Sequence, residues 1–334
     1  MTTKTESVRE RVFDAILRGE YGPGDRIPPE RDMADITRTS RVTVRRAYAA
    51  LERSGILARK RGSGAYISSE PRARREAPTA VAVLASLRDA FAVEFIEAME
   101  RALAERGVFL VLRLTDQDAA KESRAAMDLV ALGVRDLVVW ASGGSYDADV
   151  FARLRILGAN MVFFDRMMPG EFADYVGLDN RHAVTCLVDR AISEGASRLV
   201  FVSHVGLGAD SDRLREEAFA AACERRGVRG TIERVPWGAR ASEAVARNAR
   251  RWTEERDVAV IGVNDEVAAL VKRARPRVAV YGIDGLPDAA ACGVVSVTQP
   301  MRAMAETAAK LLIAQHQRGA RWRATRTFVK GRIG

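Results

Sequence analysis

Near the N-terminus, Arg41, Thr43, Arg45 and Arg46 fall opposite Val44, Ala47, Tyr48 and Leu51, which recur at helical spacing. Guanidiniums on an exposed helix can bond bidentately to guanine edges in a major groove, and a threonine hydroxyl can reach phosphate. Farther along, Asp165, Asn264 and Asp284 stand at or just after the ends of apolar runs, and Arg215 opens a helical stretch after another. Carboxylates and an amide bond hydroxyls in a planar fork, while a guanidinium grips a hydroxyl, carboxylate or phosphate. That set suits a sugar or related polyol. Trp237 offers a face for a sugar ring, and Ser86 and Arg88, at the end of the first run, are further candidates.

Each group has a plainer use that competes. Asn264 and Asp284 are ordinary helix or turn caps, Arg215 has Asp212 and Glu216 beside it, and Asp165 has Arg166. Trp237 packs equally well in a core, and arginines on a helix can be no more than a solvated face.

The elements that would position these groups can be read from patterning. Residues 7–18 carry Val8, Val12, Ile16 and Leu17 on one side and stop at Gly19. Pro29 suits the first turn of a second helix, whose apolar side is Met33, Ala34 and Ile36, and Ser40 can cap a third. Ile56-Leu57, Arg59-Lys60-Arg61, Gly62-Ser63-Gly64 and residues 65–67 then read as a hairpin with a basic tip. Residues 68–78, SSEPRARREAP, form a linker with three arginines and no large apolar residue. Beyond it, apolar runs at 81–85, 108–112, 137–140, 161–164, 199–202, 258–263 and 278–283 alternate with amphipathic helices. Strand–helix alternation over about 250 residues predicts doubly wound parallel sheets, too long for one open sheet and so two lobes. In such sheets ligands sit at the carboxyl ends of the strands, where the polar set falls. No internal repeat is visible.

Two resemblances sharpen this. Ile27-Pro28-Pro29-Glu30-Arg31, Ser40-Arg41-Val42-Thr43-Val44-Arg45, Leu51-Glu52-Arg53-Ser54-Gly55-Ile56-Leu57 and Gly62-Ser63-Gly64 occur in order. Together they resemble the winged helix-turn-helix of GntR-family regulators. The resemblance implies that Arg31, Arg41 and Arg45 contact DNA and that Arg61 and Gly62 form a wing tip entering the minor groove. Ser40, Thr43 and Arg46 complete the expected DNA-binding set. The sequence departs at Thr37-Arg38-Thr39, where the family commonly has Leu-Gly-Val. An arginine thus replaces glycine at the turn.

The body shows Phe163-Phe164-Asp165-Arg166, Val176-Gly177-Leu178-Asp179-Asn180 and Arg213-Leu214-Arg215-Glu216-Glu217-Ala218-Phe219. Then come Ile261-Gly262-Val263-Asn264-Asp265, Val280-Tyr281-Gly282-Ile283-Asp284 and Val295-Ser296-Val297-Thr298-Gln299-Pro300. The order is similar to the effector domain of LacI-type repressors, itself similar to periplasmic sugar-binding proteins. That likeness assigns Asp165, Arg215, Asn264 and Asp284 to a ligand pocket.

Composition agrees and excludes other classes. The chain has 334 residues with 53 Lys+Arg against 44 Asp+Glu, a formal net charge of +9. Residues 1–78 account for +6 of that, so the polyanion-binding tendency is localised. Cys186, Cys223 and Cys292 are too widely spaced for a disulfide framework or a CxxC metal pair, and the three histidines have no metal spacing. The charged N-terminus does not read as a signal peptide, and no apolar run approaches a membrane span. Gly206-Leu207-Gly208 lacks the third glycine of a dinucleotide fingerprint, and GxxxxGK[ST] and GxSxG are missing from the sequence.

The expected protein is α/β. A winged helix-turn-helix at 1–69 and a linker at 70–78 precede a two-lobed, periplasmic-binding-protein-like sensor at 79–334. Its first lobe is expected at about 79–180 and 299–325, its second at about 181–298 and 326–334. The expected function is a bacterial transcription regulator, a repressor, cytoplasmic and nucleoid-associated. It would be a homodimer on a pseudo-palindromic double-stranded operator, released or reset by a sugar-like effector, with no enzymatic activity, no cofactor, no metal and no membrane partner. The alternative is a cytosolic sugar-binding protein or enzyme with an incidental basic N-terminus.

Overall fold

A computed structural model describes residues 3–60, 63–69, 78–86, 90–141, 147–167, 170–205, 210–238, 240–254 and 256–334. Arg61, Gly62 and Arg88, together with linker residues 70–77, lie outside the described residues.

The N-terminal module is built from α1 (Lys4–Leu17), α2 (Glu30–Thr37) and α3 (Arg41–Arg53), followed by the hairpin β1 (Leu57–Lys60) and β2 (Gly64–Ile67). Thr3 and Glu6 form a reciprocal capping box on α1. Val8, Val12, Ile16, Met33, Val44, Ala47, Tyr48, Leu51 and Ile67 make its core. The hairpin is antiparallel, pairing Leu57 with Ile67 and Lys60 with Gly64. Pro29 is the N-cap of α2 rather than its first helical residue. Arg38 takes the left-handed conformation (φ 50°, ψ 46°), and its N–H donates to carbonyls of α2. The turn therefore keeps its helix-ending geometry without glycine, at a cost of about 1–2 kcal/mol.

The first lobe begins with β3 (Ala80–Ala85), α4 (Ala90–Ala104), β4 (Phe109–Leu114), α5 (Ala119–Ala131) and β5 (Asp136–Val139). It continues through α6 (Ala148–Ile156), β6 (Asn160–Phe164) and β7 (Asp174–Leu178). The second contains α7 (Asn180–Ser193), β8 (Arg198–Val205), α8 (Asp210–Arg226), β9 (Arg229–Pro236), α9 (Arg240–Trp252), β10 (Val258–Gly262), α10 (Asp265–Ala274), β11 (Ala279–Asp284), α11 (Pro287–Ala291) and β12 (Val295–Thr298). The chain then returns as α12 (Met301–Arg318), β13 (Arg326–Val329) and β14 (Arg332–Ile333).

Among the described residues the sheets run β13-β7-β6-β5-β3-β4 and β14-β12-β11-β10-β8-β9. Numbered within each lobe, both read 6-5-4-3-1-2, a shared strand order with no sequence repeat behind it. The inner strands β5, β6, β7 and β10 are buried along their whole length, as the Val-rich runs require.

One expected boundary is corrected. Residues 326–329 belong to the first lobe, because β13 pairs in parallel with β7, Arg326 opposite Tyr175 through Val329 opposite Leu178. Only β14 reaches the second sheet, antiparallel to β12. The final crossover thus falls after Val329, and a strand this short takes its identity from its neighbour rather than from its own pattern.

The N-terminal module rests on the first lobe. Its core is continuous with that lobe's through Phe13, Leu17, Met127, Val134, Ala148 and Ala152. The Arg135 guanidinium lies over the Phe13 ring at 5.2 Å. Behind this contact, at the amino ends of β5 to β7, Arg155 is fully buried. It donates to Gln315 Oε1 (2.6 Å) and the Ala159 carbonyl (2.8 Å), and lies 3.7 Å from the Trp322 ring centroid. Burial pushes its pKa down to about 9. No helix among the described residues is long and apolar enough to cross a membrane.

Candidate functional site

Two sites follow from this architecture. The first is the outer face of α3. Ser40 Oγ accepts from the Thr43 N–H at 3.1 Å and shares a hydrogen bond with Thr43 Oγ1 at 2.9 Å, so both hydroxyls start the helix. Val44, Ala47, Tyr48 and Leu51 turn inward, and the Tyr48 hydroxyl donates to the Pro28 carbonyl at 2.7 Å, fixing α3 against the approach to α2. Burial pushes that phenol's pKa up.

Arg31, Arg41 and Arg46 are exposed and have no ion pair among the described residues. Arg45 is exposed but held: its Nε donates to Glu30 Oε2 at 2.9 Å, and the other oxygen of Glu30 takes Arg59 at 3.1 Å. Arg59 also pairs with Glu52, so α2, α3 and β1 share one ion-pair chain. On the hairpin, Lys60 Nζ lies 4.6 Å from the centre of the Tyr66 ring.

The second site is a cleft between the lobes, about 170 Å³, sized for a small polar molecule. Ser86, Asp165, Arg215, Trp237, Asn264 and Asp284 all line it. Ser86 follows β3 and accepts at Oγ from the Gln117 N–H at 2.6 Å. Gln117 and its neighbour Asp116 both have left-handed backbone, φ 59° and 54°. Asp165 follows β6 with φ 62°, and the Tyr175 hydroxyl donates to its carbonyl at 3.1 Å.

Asn264 is both cap and wall: its Oδ1 accepts from the Val267 N–H at 3.0 Å, leaving the amide nitrogen for the cleft. Gly262 makes this possible, since a Cβ there would lie 2.6 Å from the Ala268 nitrogen. Arg215 is 5% exposed and aligned by protein acceptors. Its Nε donates to Asn180 Oδ1 and an Nη to the Val263 carbonyl, both at 2.7 Å. The neighbouring carboxylates that competed for it are used elsewhere, Asp212 by His204 (3.0 Å) and Glu216 by Arg234.

Asp284 ends β11 at φ 134° and accepts from Gln299 Nε2 at 2.8 Å. Burial raises its pKa to about 7, with Arg215 opposing and Asp265 and Asp165 adding to the rise. Asp265, fully buried behind it, accepts from the Leu286 N–H and Ser296 Oγ, each at 2.6 Å, and burial pushes its pKa up as well. Both cleft carboxylates at Asp165 and Asp284 thus sit on backbone that L-residues rarely adopt, the kind of strain that collects at ligand sites.

Sequence reasoning missed Gln117, Trp140, Arg166, His204, Ser211, Asp212, Glu266, Leu286 and Gln299, which also line the cleft. Gln299 carried a signal, since it lies within a segment already noted. His204 and Asp212 did not, because a strand residue and a helix residue eight positions apart meet only through the fold. His204 stands in the cleft wall, where the spacing of the histidines suggested nothing more than a surface or core residue.

Residues 4–67 match the family model of bacterial regulatory proteins, gntR family, and residues 188–333 match a periplasmic-binding-protein-like domain. The arabinose metabolism transcriptional repressor of Geobacillus stearothermophilus is 24% identical over 92% of this chain and 89% of its own length. The Uxu operon transcriptional regulator of Escherichia coli (strain K12) is 29% identical over 46% of this chain and 57% of its own. Among solved structures, a lac repressor dimer bound to operator and the anti-inducer ONPF superposes with a TM-score of 0.65 at 16% identity. It covers 77% of this chain and 93% of that one, and this likeness is one of fold.

Proposed function

From a chain that joins a gntR-family domain to a periplasmic-binding-protein-like domain, we propose a ligand-responsive transcription regulator. It represses from an operator and is released by a small sugar or sugar-like effector. It acts by binding rather than catalysis. The observation that carries this reading is that polar side chains from both lobes line one cleft: Ser86 and Asp165 on one side, Arg215, Asn264 and Asp284 on the other. A ligand bridging them favours closure of the lobes, and closure is a change of state that the N-terminal module can register.

DNA reading falls to Arg41 and Arg46 on α3, with Arg31 from α2. Ser40 and Thr43 shape the helix start that delivers them. Arg45 is held to Glu30 through Nε alone, which leaves its Nη groups to join the contact. Homodimerisation is supported by edge strand β4, where Phe109 is 76% exposed, with Leu112 and Leu114 on the same strand and Val93 on α4 also exposed. An apolar edge of this kind calls for a partner, and a two-fold dimer would present two α3 helices to a pseudo-palindromic site.

The test is a mobility shift with fragments from the neighbouring operon, with and without a sugar panel. Specific retardation that a sugar reverses is the expected result. Arg41→Ala with Arg46→Ala should abolish retardation, whereas Arg215→Ala should retain it and lose only the reversal. Retardation surviving in the double arginine variant would overturn the assignment.

A further inference from the structure

The charges lining the cleft do not balance. Asp165, Asp212, Glu266 and Asp284 supply four carboxylates, against the guanidiniums of Arg166 and Arg215 and the imidazole of His204. Much of the positive charge is already engaged. Arg215 gives two of its hydrogen bonds to Asn180 and Val263 and acts on Asp284, while His204 is bonded to Asp212. Arg166 is the one cleft guanidinium that meets neither protein anion nor protein acceptor through its side chain among the described residues.

The deep corner is richer still in acceptors. Gln299 is 4% exposed and gives Nε2 to Asp284, leaving Oε1 buried with no hydrogen-bond partner among the described residues. A buried acceptor without a donor is costly, so whatever fills the corner must donate. Asp165 faces Asp284 closely enough to hinder its ionisation, and Asp265 lies behind with a third carboxylate.

Resting on the reading of this cleft as a sugar site, we propose that it selects by charge. It takes a hydroxyl-rich ligand without an anionic group, which donates to the Asp284–Gln299 corner, and it rejects the carboxylated and phosphorylated forms of the same sugar. A hydroxyl both donates and accepts, so one ligand can satisfy Gln299 Oε1 and Asp284 while accepting from Arg215 and the Asn264 amide. A carboxylate or phosphate only accepts at neutral pH, and it would add charge beside Asp165 and Asp284 in a poorly solvated corner.

The experiment is titration calorimetry on the full chain with matched sets. These are glucose, glucuronate and glucose 6-phosphate; galactose, galacturonate and galactose 6-phosphate; arabinose and arabinose 5-phosphate; and fructose and fructose 6-phosphate. The expected binder is a neutral member, with its anionic counterparts weaker by on the order of 100-fold. With the titrations run at about pH 8.5, where Asp284 is ionised, Asp284→Asn should narrow that gap by about tenfold or more, since it removes the charge the anion meets. Gln299→Met, which leaves every charge in place, should weaken neutral and anionic forms alike and preserve their ratio.

An anionic member binding as tightly as its neutral parent, and losing that affinity in Arg166→Ala, overturns the charge rule while leaving the sugar-sensor reading intact. Silence from every member, in a protein that still retards its operator fragment, overturns the sensor reading and the charge rule with it.

Discussion

On α3 the groups offered to a partner lie within a few residues of one another, exposed, and three of the four candidate arginines on α2 and α3 have no ion pair among the described residues. Around the cleft they run from Ser86 to Gln299, arrive on separate strands and helices, and at Arg215 and Gln299 are buried and bonded before any ligand is present. The first arrangement suits a polyanion whose field reaches into solvent, where cations need no desolvation and only modest positioning. The second suits a small polar ligand, for which donors and acceptors must be held dry and in register. Arg46 and Arg215 are chemically the same, but removing the first should cost recognition alone, while removing the second should cost recognition and structure together.

The largest effect that could break this contrast is on DNA. Arg41→Ala with Arg46→Ala should weaken specific binding by about 2–6 kcal/mol, with the melting temperature unchanged. A fall in melting temperature, read by calorimetry, would mean that these arginines also support the fold.

Next comes Arg215→Ala, expected to destabilise the second lobe by about 3 kcal/mol through the loss of two charge-assisted bonds inside the protein. A denaturant midpoint equal to the wild type's would show that Arg215 is as loosely held as the arginines of α3.

Asp284 tests the same contrast through pH. Its folded pKa, about 7, lies above its ordinary 3.8, so the native state keeps a proton that the unfolded chain releases. Native stability therefore falls as pH rises through that window and levels off above it. Asp284→Asn removes this loss. The variant should be more stable at pH 8 by about 4 kcal/mol at most, with the gain nearly gone near pH 4. A gain of equal size at both pH values would reflect relief of the φ 134° backbone rather than of charge.

The smallest effect is at Arg38. Arg38→Gly should stabilise the N-terminal module by about 0.5–1 kcal/mol, the strain of a left-handed arginine less glycine's own entropy. No change in the melting temperature would mean that the turn is unstrained.

The same contrast explains what was legible in the sequence. The winged module is local: Ser40 caps the helix it precedes, and the spacing of Val44, Ala47, Tyr48 and Leu51 announces its buried face. Arg38 is the exception, because the tertiary turn overrides a residue's own preference. In the lobes, the rule that ligands gather at strand carboxyl ends brought out Ser86, Asp165, Asn264 and Asp284. Trp140, directly after β5, obeys the same rule but reads in the sequence as the last residue of an apolar run, whereas His204 inside β8 and Gln117 in a strained loop reach the cleft through neighbours distant in the chain. β13 was misassigned for the same reason: four residues of alternating burial fit either sheet, and only pairing with β7 decides. The likeness between the lobes lies in the order of their strands, which leaves no trace in residue identity.

Phe13 against Arg135 carries a consequence for how the molecule comes apart. Because the winged module's core runs into that of the first lobe, heat that loosens one strips packing from the other. The cooperative units of melting are then the winged module with the first lobe, and the second lobe with its own core. The proposed reading and sensing functions divide the chain near residue 78, whereas melting is expected to divide it where the strands cross between the lobes.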